Sequence, residues 1–347
     1  ADQDYPPPFN IMTLPSEANV QSASSRVLSI LAKLFPEMPG TRWADTLAMA
    51  LVTLQVEHMP TIRDVSKVLS DMEYRERLLA QIDNEAILDF WQDFERKSPG
   101  VQDELVDPIK RRLRAFYGNA AFYPIACHPQ GLDFARMLQE GKIILVSLGG
   151  DESRITAYER RLLGALVISQ IQIAATSGTC RERGFYMYVD EAQEFVTTSL
   201  SSMLTQARQF GLSFTLSNQY LGQLVGDTLE PVRGDGGTFV FFQLGDQDAG
   251  IAARYTRPGF ETEDLMNLDK YRAAVRMRLD TTTLPAFSLK TRLPQAREDA
   301  ATEGQIRAIS RANNHFMARD EVLTWLRNRY PRTSRATDGQ DSFSDPV

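Results

Sequence analysis

Apolar residues follow a helical period through the first third of the chain. In one stretch Leu47, Leu51 and Leu54 recur at intervals of three and four residues, as on one face of an α-helix. Thr61 stands directly before a second periodic stretch and is a predicted helix N-cap. No strand pattern is evident here, so residues 16–125 are predicted to form an all-α subdomain.

Four short apolar runs then replace this helical pattern. Each is short enough for a buried strand, and helical segments lie between them. A helix predicted over 199–210 ends at Gly211, a residue typical of helix C-termini. This alternation predicts an α/β fold with a mostly parallel sheet covered by helices, and strands near one edge over 271–293. The four runs are 142–148, 185–189, 212–217 and 238–244.

The pattern divides the chain into four parts. Residues 1–15 are proline-rich and extended, and 16–125 are helical. Residues 126–293 form the predicted α/β core. Residues 294–347 are a polar tail with one predicted amphipathic helix, over 320–330.

Composition narrows the class of protein. Of 347 residues, 43% are hydrophobic and 24% charged, which indicates a globular chain. The net charge of -7 excludes a basic protein that coats nucleic acid with its whole surface, although a pore lined by Arg and Lys stays compatible with it. Cys127, Cys180 and three scattered His have no metal-site spacing, and no apolar run reaches the roughly 20 residues that span a bilayer. A reducing cytoplasm is the expected compartment.

Two neighbouring acids are the first candidates for chemistry. Asp190 and Glu191 directly follow the run over 185–189. A parallel strand delivers such residues to the carboxyl edge of the sheet, where ligands bind. Adjacent side chains point to opposite sides, so one acid suits Mg²⁺ and the other suits activation of a water. The alternative is that either acid only caps the following helix.

The segment around these acids resembles a known family. Residues 185–223, which include Tyr186-Met187-Tyr188-Val189-Asp190-Glu191-Ala192-Gln193 and Asn218-Gln219-Tyr220, are similar to the C-terminal half of HerA/FtsK-type P-loop ATPases. The resemblance is closest to the TraG/TraD-like coupling proteins of conjugation and type IV secretion. In that family Asp190 and Glu191 match the Walker B pair, Gln219 matches a polar sensor, and Arg208 matches an arginine that reaches a nucleotide in the adjacent subunit.

The resemblance implies a RecA-like ATPase core with an all-α insertion. It implies ATP and Mg²⁺ as cofactors, with Asp190 on Mg²⁺ through water and Glu191, Arg208 and Gln219 as catalytic residues. It also implies a homo-oligomer, expected to be hexameric, that moves DNA, and a relaxase or secretion-channel protein as partner. A cytoplasmic, bacterial location follows, with membrane association expected only through a missing N-terminal region.

The P-loop of that family is missing from this sequence. Such a loop needs Gly-x-x-x-x-Gly-Lys followed by Ser or Thr, whereas the only Gly-Lys here, Gly141-Lys142, opens an apolar run. We therefore expect the chain to be a fragment whose P-loop precedes Ala1, and expect no ordinary ATP binding by the chain alone.

Several alternatives stay open on the sequence. The chain could be a degenerate relative, a non-catalytic DNA- or protein-binding scaffold, or an ATPase half completed by another polypeptide. Arg208 could only complement a helix dipole, and Gln219 could only satisfy a loop backbone. The basic run over 110–114 is interpreted as a solvated helix face rather than a DNA contact.

Overall fold

Helices make up most of the structure, with two small sheets in its second half. The structure is a computed structural model. The part of the chain that it describes covers residues 4–13, 20–35, 42–149, 155–175, 184–195, 204, 207–220, 237–279, 282–293 and 299–331.

The helical region precedes the first strand. Its α-helices are α1 (Val20–Leu34), α2 (Arg42–Thr53), α3 (Ile62–Ser70), α4 (Met72–Leu79), α5 (Glu85–Glu95), α6 (Pro99–Tyr117), α7 (Tyr123–Ala126), α8 (Phe134–Gln139) and α9 (Ala157–Ala174). Within the described part of residues 16–125 there is no strand, as the apolar spacing predicts.

Helix α3 shows why these segments fold as helices. The Thr61 hydroxyl accepts a hydrogen bond from the backbone N–H of Arg63, and the Asp64 carboxylate accepts one from the N–H of Thr61 at 2.7 Å. These bonds satisfy backbone donors that the first turn leaves unpaired, so the predicted N-cap at Thr61 is confirmed. Val65 and Val68 on the same helix are fully buried in a core that also contains the largest side chains of the region, Trp91, Phe116 and Phe122.

The C-terminal region holds two helices where the sequence predicts one. Helix α12 covers Ala300–Asn313 and helix α13 covers Arg319–Arg329. The sequence of α12 is largely polar and did not predict a helix. In the structure its apolar Ile306 and Ile309 are exposed, and none of its residues is buried. Helix α13, in contrast, buries Val322 and Leu326 in the core of the helical region.

The strands form two separate sheets. Strands β1 (Phe185–Val189) and β2 (Leu212–Leu216) run parallel with Val189 opposite Leu216. The second sheet is antiparallel, with β4 between β3 on one side and β5 and β6 on the other. Its strands are β3 (Thr238–Phe241), β4 (Arg272–Leu279), β5 (Thr282–Thr283) and β6 (Phe287–Lys290), and one face packs on α10 (Asp246–Thr256) and α11 (Thr262–Met266).

The predicted strand over 142–148 is wrong for this structure. The segment has no assigned strand, and the Ile143 and Leu145 side chains are 89% and 76% exposed. An apolar run becomes a strand only when a neighbouring strand pairs with its N–H and C=O groups. Among the described residues, no strand pairs with this segment.

The prediction for 238–244 also needs correction. Strand β3 pairs antiparallel with β4 rather than parallel with another strand. Among the described residues only one of its faces is covered: Phe241 is buried against α10, whereas Val240 on the other face is 47% exposed. The observed fold is therefore a mixed helix and strand fold with a small parallel sheet. Within the described ranges, no helix is long and apolar enough to cross a bilayer.

Candidate active site

The parallel pair β1 and β2 brings the predicted site residues to one edge. The hydrogen bonding continues past both strands, with the N–H of Ser217 donating to the Val189 carbonyl at 3.0 Å and the N–H of Ala192 donating to the Ser217 carbonyl at 2.8 Å. The turn that holds Asp190 and Glu191 is thus tied to the residues that follow β2. This arrangement agrees with the expectation that parallel strands deliver polar residues to their carboxyl edge.

Asp190 lies at this edge with an exposed carboxylate. Its Oδ1 accepts hydrogen bonds from the Ser217 hydroxyl and from the backbone N–H of Glu191, the latter at 3.1 Å. Within the described residues no hydrogen bond reaches Oδ2. One oxygen is therefore held by the protein, and among the described residues the exposed side chain keeps its other oxygen for a further ligand.

Glu191 has a strained backbone and a restrained side chain. Its φ of 50° and ψ of 48° lie in the left-handed region, which costs a residue other than glycine about 1–3 kcal/mol. Its Oε1 accepts from the Gln219 amide at 2.9 Å, and its Oε2 accepts from the Gln193 amide at 2.5 Å. Because each carboxylate oxygen has two lone pairs, each keeps one for a further donor such as a water.

Helix α9 packs against the turn that follows Glu191. Ala192 is completely buried, and a Cβ added at Gly164 of α9 would overlap the ring of Phe195. Helix and turn therefore approach as closely as a glycine allows. At the rim Arg161 pairs with Glu194 and lowers the pKa of that carboxyl below its usual value.

Of the four predicted site residues, the structure brings three together. Asp190, Glu191 and Gln219 share the edge described above. Arg208 belongs to a short 3₁₀ helix over Ala207–Phe210, but its side chain lies outside the described residues. Gly211, which follows that helix, has a φ of 69°, as a glycine after a helix end allows.

Sequence reasoning assigned no role to two residues that contact the acids, Ser217 and Gln193. Ser217 sits one position past the end of β2, and Gln193 sits two positions after Glu191. Ser217 lies next to Asp190 across the parallel pair, and Gln193 lies next to Glu191 within a tight turn. These contacts depend on the strand register and on the turn geometry, which the sequence alone does not predict.

The donor set at this edge suits Mg²⁺. Magnesium commonly keeps several waters and binds one or two carboxylates together with substrate phosphates, rather than a dedicated protein cage. Asp190 offers one such carboxylate oxygen. Among the described residues there is no cluster of three or more His, Cys, Asp or Glu that could enclose a metal ion.

The chain does not offer a matching cradle for a triphosphate. A phosphate loop needs consecutive backbone N–H groups and a lysine, and the 347-residue sequence has no Gly-x-x-x-x-Gly-Lys motif. The only Gly-Lys, Gly141-Lys142, lies at the end of a helical turn, with Lys142 within 3.4 Å of Glu140. No hydrolytic step on ATP is therefore derived from this chain alone.

Comparisons with known proteins give a fold but no sequence family. No protein-family model matches the chain, and no curated protein matches it by sequence. Among solved structures, the bacterial conjugative coupling protein TrwBdeltaN70 in an unbound form is similar with a TM-score of 0.57 and 14% identity, covering 85% of this chain and 74% of that one.

Nucleotide complexes of the same protein are also similar. The plasmid coupling protein TrwB in complex with ADP and Mg²⁺ has a TM-score of 0.57 and 13% identity, with 83% of this chain and 73% of that chain covered. TrwB in complex with the GTP analogue GDPNP has a TM-score of 0.54 and 13% identity, with 80% and 70% covered. The chain therefore has the fold of the TrwB conjugative coupling proteins, which supports the TraG/TraD-like resemblance of its sequence.

Proposed function

We propose that the chain is the Walker B half of a RecA-like coupling ATPase that moves DNA or nucleoprotein in conjugation or type IV secretion. The observation that carries the proposal is the hydrogen bond between Gln219 and Glu191 beside Asp190, at the carboxyl edge of a parallel pair. The fold shared with TrwB, which is known in complex with ADP and Mg²⁺, adds support.

The roles of the acids follow from their surroundings. Asp190 would hold Mg²⁺ through water with its free oxygen, and the ion would supply charge neutralisation at the phosphates. Glu191, anchored by two amides, keeps a lone pair on each oxygen with which to accept a proton from a water. The Gln219 amide links that carboxylate to the end of β2, so a movement of β2 would change the position of the Glu191 side chain.

Two parts of the proposed machine lie beyond this geometry. The phosphate cradle would come from another segment of the protein or from a second polypeptide. Arg208 would stabilise transition-state charge on a nucleotide held by a neighbouring subunit, a contribution worth roughly 10³–10⁵ in rate in enzymes that use such an arginine. We propose a ring, with six subunits as the expected number, and DNA with a relaxase or channel protein as partners.

Nucleotide binding tests the proposal directly. We expect calorimetry to detect no ATP binding by the chain of residues 1–347, and expect tight binding and phosphate release once a polypeptide carrying the P-loop is joined to it or mixed with it. Arg208→Ala should then slow assembled rings far more than monomers. Failure of every P-loop partner to produce phosphate release would favour the non-catalytic scaffold.

A further inference from the structure

The carboxylate of Glu191 is held by two amides that come from different places in the chain. Gln219 follows β2 and is 28 residues away in sequence, whereas Gln193 is only two residues away. The Gln219 contact joins the turn to the end of the neighbouring strand. The Gln193 contact lies within one turn, so its donor and acceptor move together.

The backbone of Gln193 is fixed more firmly than that of an ordinary loop residue. It lies in the 3₁₀ helix over Ala192–Glu194, whose first residue is fully buried and donates its N–H to Ser217. Phe195 on the other side packs against Gly164. The Gln193 side chain therefore starts from a rigid position directly beside Glu191.

The amide of Gln193 has a defined orientation. Its nitrogen donates to Glu191, and its oxygen is buried with no hydrogen-bond donor among the described residues. The reverse orientation would place this oxygen against a carboxylate and would lose the hydrogen bond. The burial of an unpaired oxygen is unfavourable, so the bond to Glu191 is what holds the side chain in this position.

We propose that Gln193 is a positioning residue that orients the Glu191 carboxylate from within its own turn, beside the contact that Gln219 makes from the end of β2. This inference rests on the proposed function, since it treats Glu191 as the base. Gln193 touches neither nucleotide nor water in this role. The Gln193 amide holds Oε2 of Glu191 in place. The carboxylate then keeps a single orientation, and its remaining lone pairs keep a fixed direction.

The first test needs no enzyme activity. In the isolated chain with ¹⁵N-labelled glutamine, Glu191→Ala should shift the side-chain amide resonances of both Gln193 and Gln219, and Gln193→Met should shift that of Gln219. Methionine keeps about the length of the side chain and removes the amide, both its donor nitrogen and its acceptor oxygen. Unchanged Gln193 resonances in Glu191→Ala would overturn the inference, whatever the protein catalyses.

The second test uses the protein assembled with its P-loop part. Gln193→Met should lower kcat roughly 10-fold, the effect of losing one orienting hydrogen bond, with ATP affinity and melting temperature unchanged. Gln193→Glu, which adds a like charge beside Glu191, should lower kcat further. Glu194→Gln on the next residue is the matched control and should leave kcat within about twofold.

The outcomes separate this inference from the proposed function. If Glu191→Gln abolishes hydrolysis while both Gln193 variants keep normal kcat, the inference fails and the proposed function stands. If Glu191→Gln hydrolyses ATP normally, the proposed function fails together with the catalytic part of the inference. Should Gln193→Met unfold, the Gln193 amide resonances in Glu191→Ala, a variant that leaves Gln193 itself unchanged, decide the question.

Discussion

The helical region and the parallel sheet of this protein differ in how completely they are covered. In the helical region Trp91 and Phe116 are each 1% exposed, and even the polar Asp64 is buried with partners. In the parallel pair, Tyr186 and Tyr188 of β1 are 68% and 74% exposed. Asp190 and Glu191, the acids to which we assign the proposed chemistry, lie in the less covered region.

The difference follows from how each element satisfies its backbone. A helix pairs its N–H and C=O groups within itself, so a helical region closes as soon as its apolar faces meet. A strand needs another strand to pair with its N–H and C=O groups, and a parallel sheet is usually covered on both faces. Within the described residues the parallel sheet has only two strands, and it therefore remains less covered than the helical region.

The largest expected effect is a loss of stability in the helical region when its contact with helix α13 is removed. Arg329 of α13 donates to Asp64 at 3.1 Å and to the His58 carbonyl at 3.0 Å, while Asp64 is 1% exposed. Arg329→Met would leave a buried carboxylate without its cation, so we expect a loss of about 3–5 kcal/mol in the free energy of unfolding. Urea denaturation measures it.

The matched control for that experiment lies on the same helix. Arg327 is exposed and, among the described residues, bonds only to a carbonyl of its own helix, so Arg327→Met should change the free energy of unfolding by less than about 0.5 kcal/mol. Equal effects of the two variants would show that α13 does not hold the helical region closed. The double variant Asp64→Asn/Arg329→Met should recover part of the loss.

The second expected effect is a loss of folding stability at acidic pH. His128 is completely buried, its Nδ1 accepts from the N–H of Gln130, and its Nε2 has no partner among the described residues. Burial lowers its pKa from 6.5 to about 4. The unfolded chain therefore takes up a proton at a higher pH than the folded one, and stability falls as pH drops from 6.5 towards 4.

The size of this acid effect follows from the shift, and one substitution isolates it. The expected loss is up to about 3 kcal/mol across that range, because one pKa unit is worth about 1.4 kcal/mol. Urea midpoints at several pH values would measure it, and His128→Gln should flatten the dependence. The exposed His58 provides the control, and an equally strong flattening by His58→Gln would contradict the assignment to His128.

The smallest expected effects come from two glycines in helices. Gly164→Ala in α9 would force a methyl group into the Phe195 ring, so we expect destabilisation by about 1–3 kcal/mol. Gly304→Ala in α12 has open space within 4 Å and should stabilise by about 0.5–1 kcal/mol. Thermal melting of both variants compares them, and stabilisation by Gly164→Ala would mean that α9 does not press against the site.

The sequence predicted the helices better than the sheets, because a helix forms its hydrogen bonds locally whereas a strand pairs with a distant segment. The period of Leu47, Leu51 and Leu54 and the cap at Thr61 are local signals, and local hydrogen bonds make the helix. The runs over 142–148 and 238–244 are also apolar, but their pairing depends on distant strands. The pattern alone therefore could not show that one remains unpaired and that the other pairs antiparallel.

The candidate site was predictable in its residue types and not in its contacts. Two acids after an apolar run, and a Gln after the next run, indicated the edge at which Asp190, Glu191 and Gln219 meet. The amide of Gln193 gave no signal, because its role depends on the left-handed backbone of Glu191. Helix α12 escaped prediction because it buries none of its residues.

The central claim is that Glu191 activates water in an ATPase assembled from this chain and a P-loop part. Phosphate release by that assembly, measured with ATP binding for Glu191→Gln and for the neighbouring Glu194→Gln, tests it most directly. We predict that Glu191→Gln lowers turnover roughly 10²–10⁴-fold while ATP still binds, and that Glu194→Gln keeps normal turnover. Normal hydrolysis by Glu191→Gln would contradict the claim.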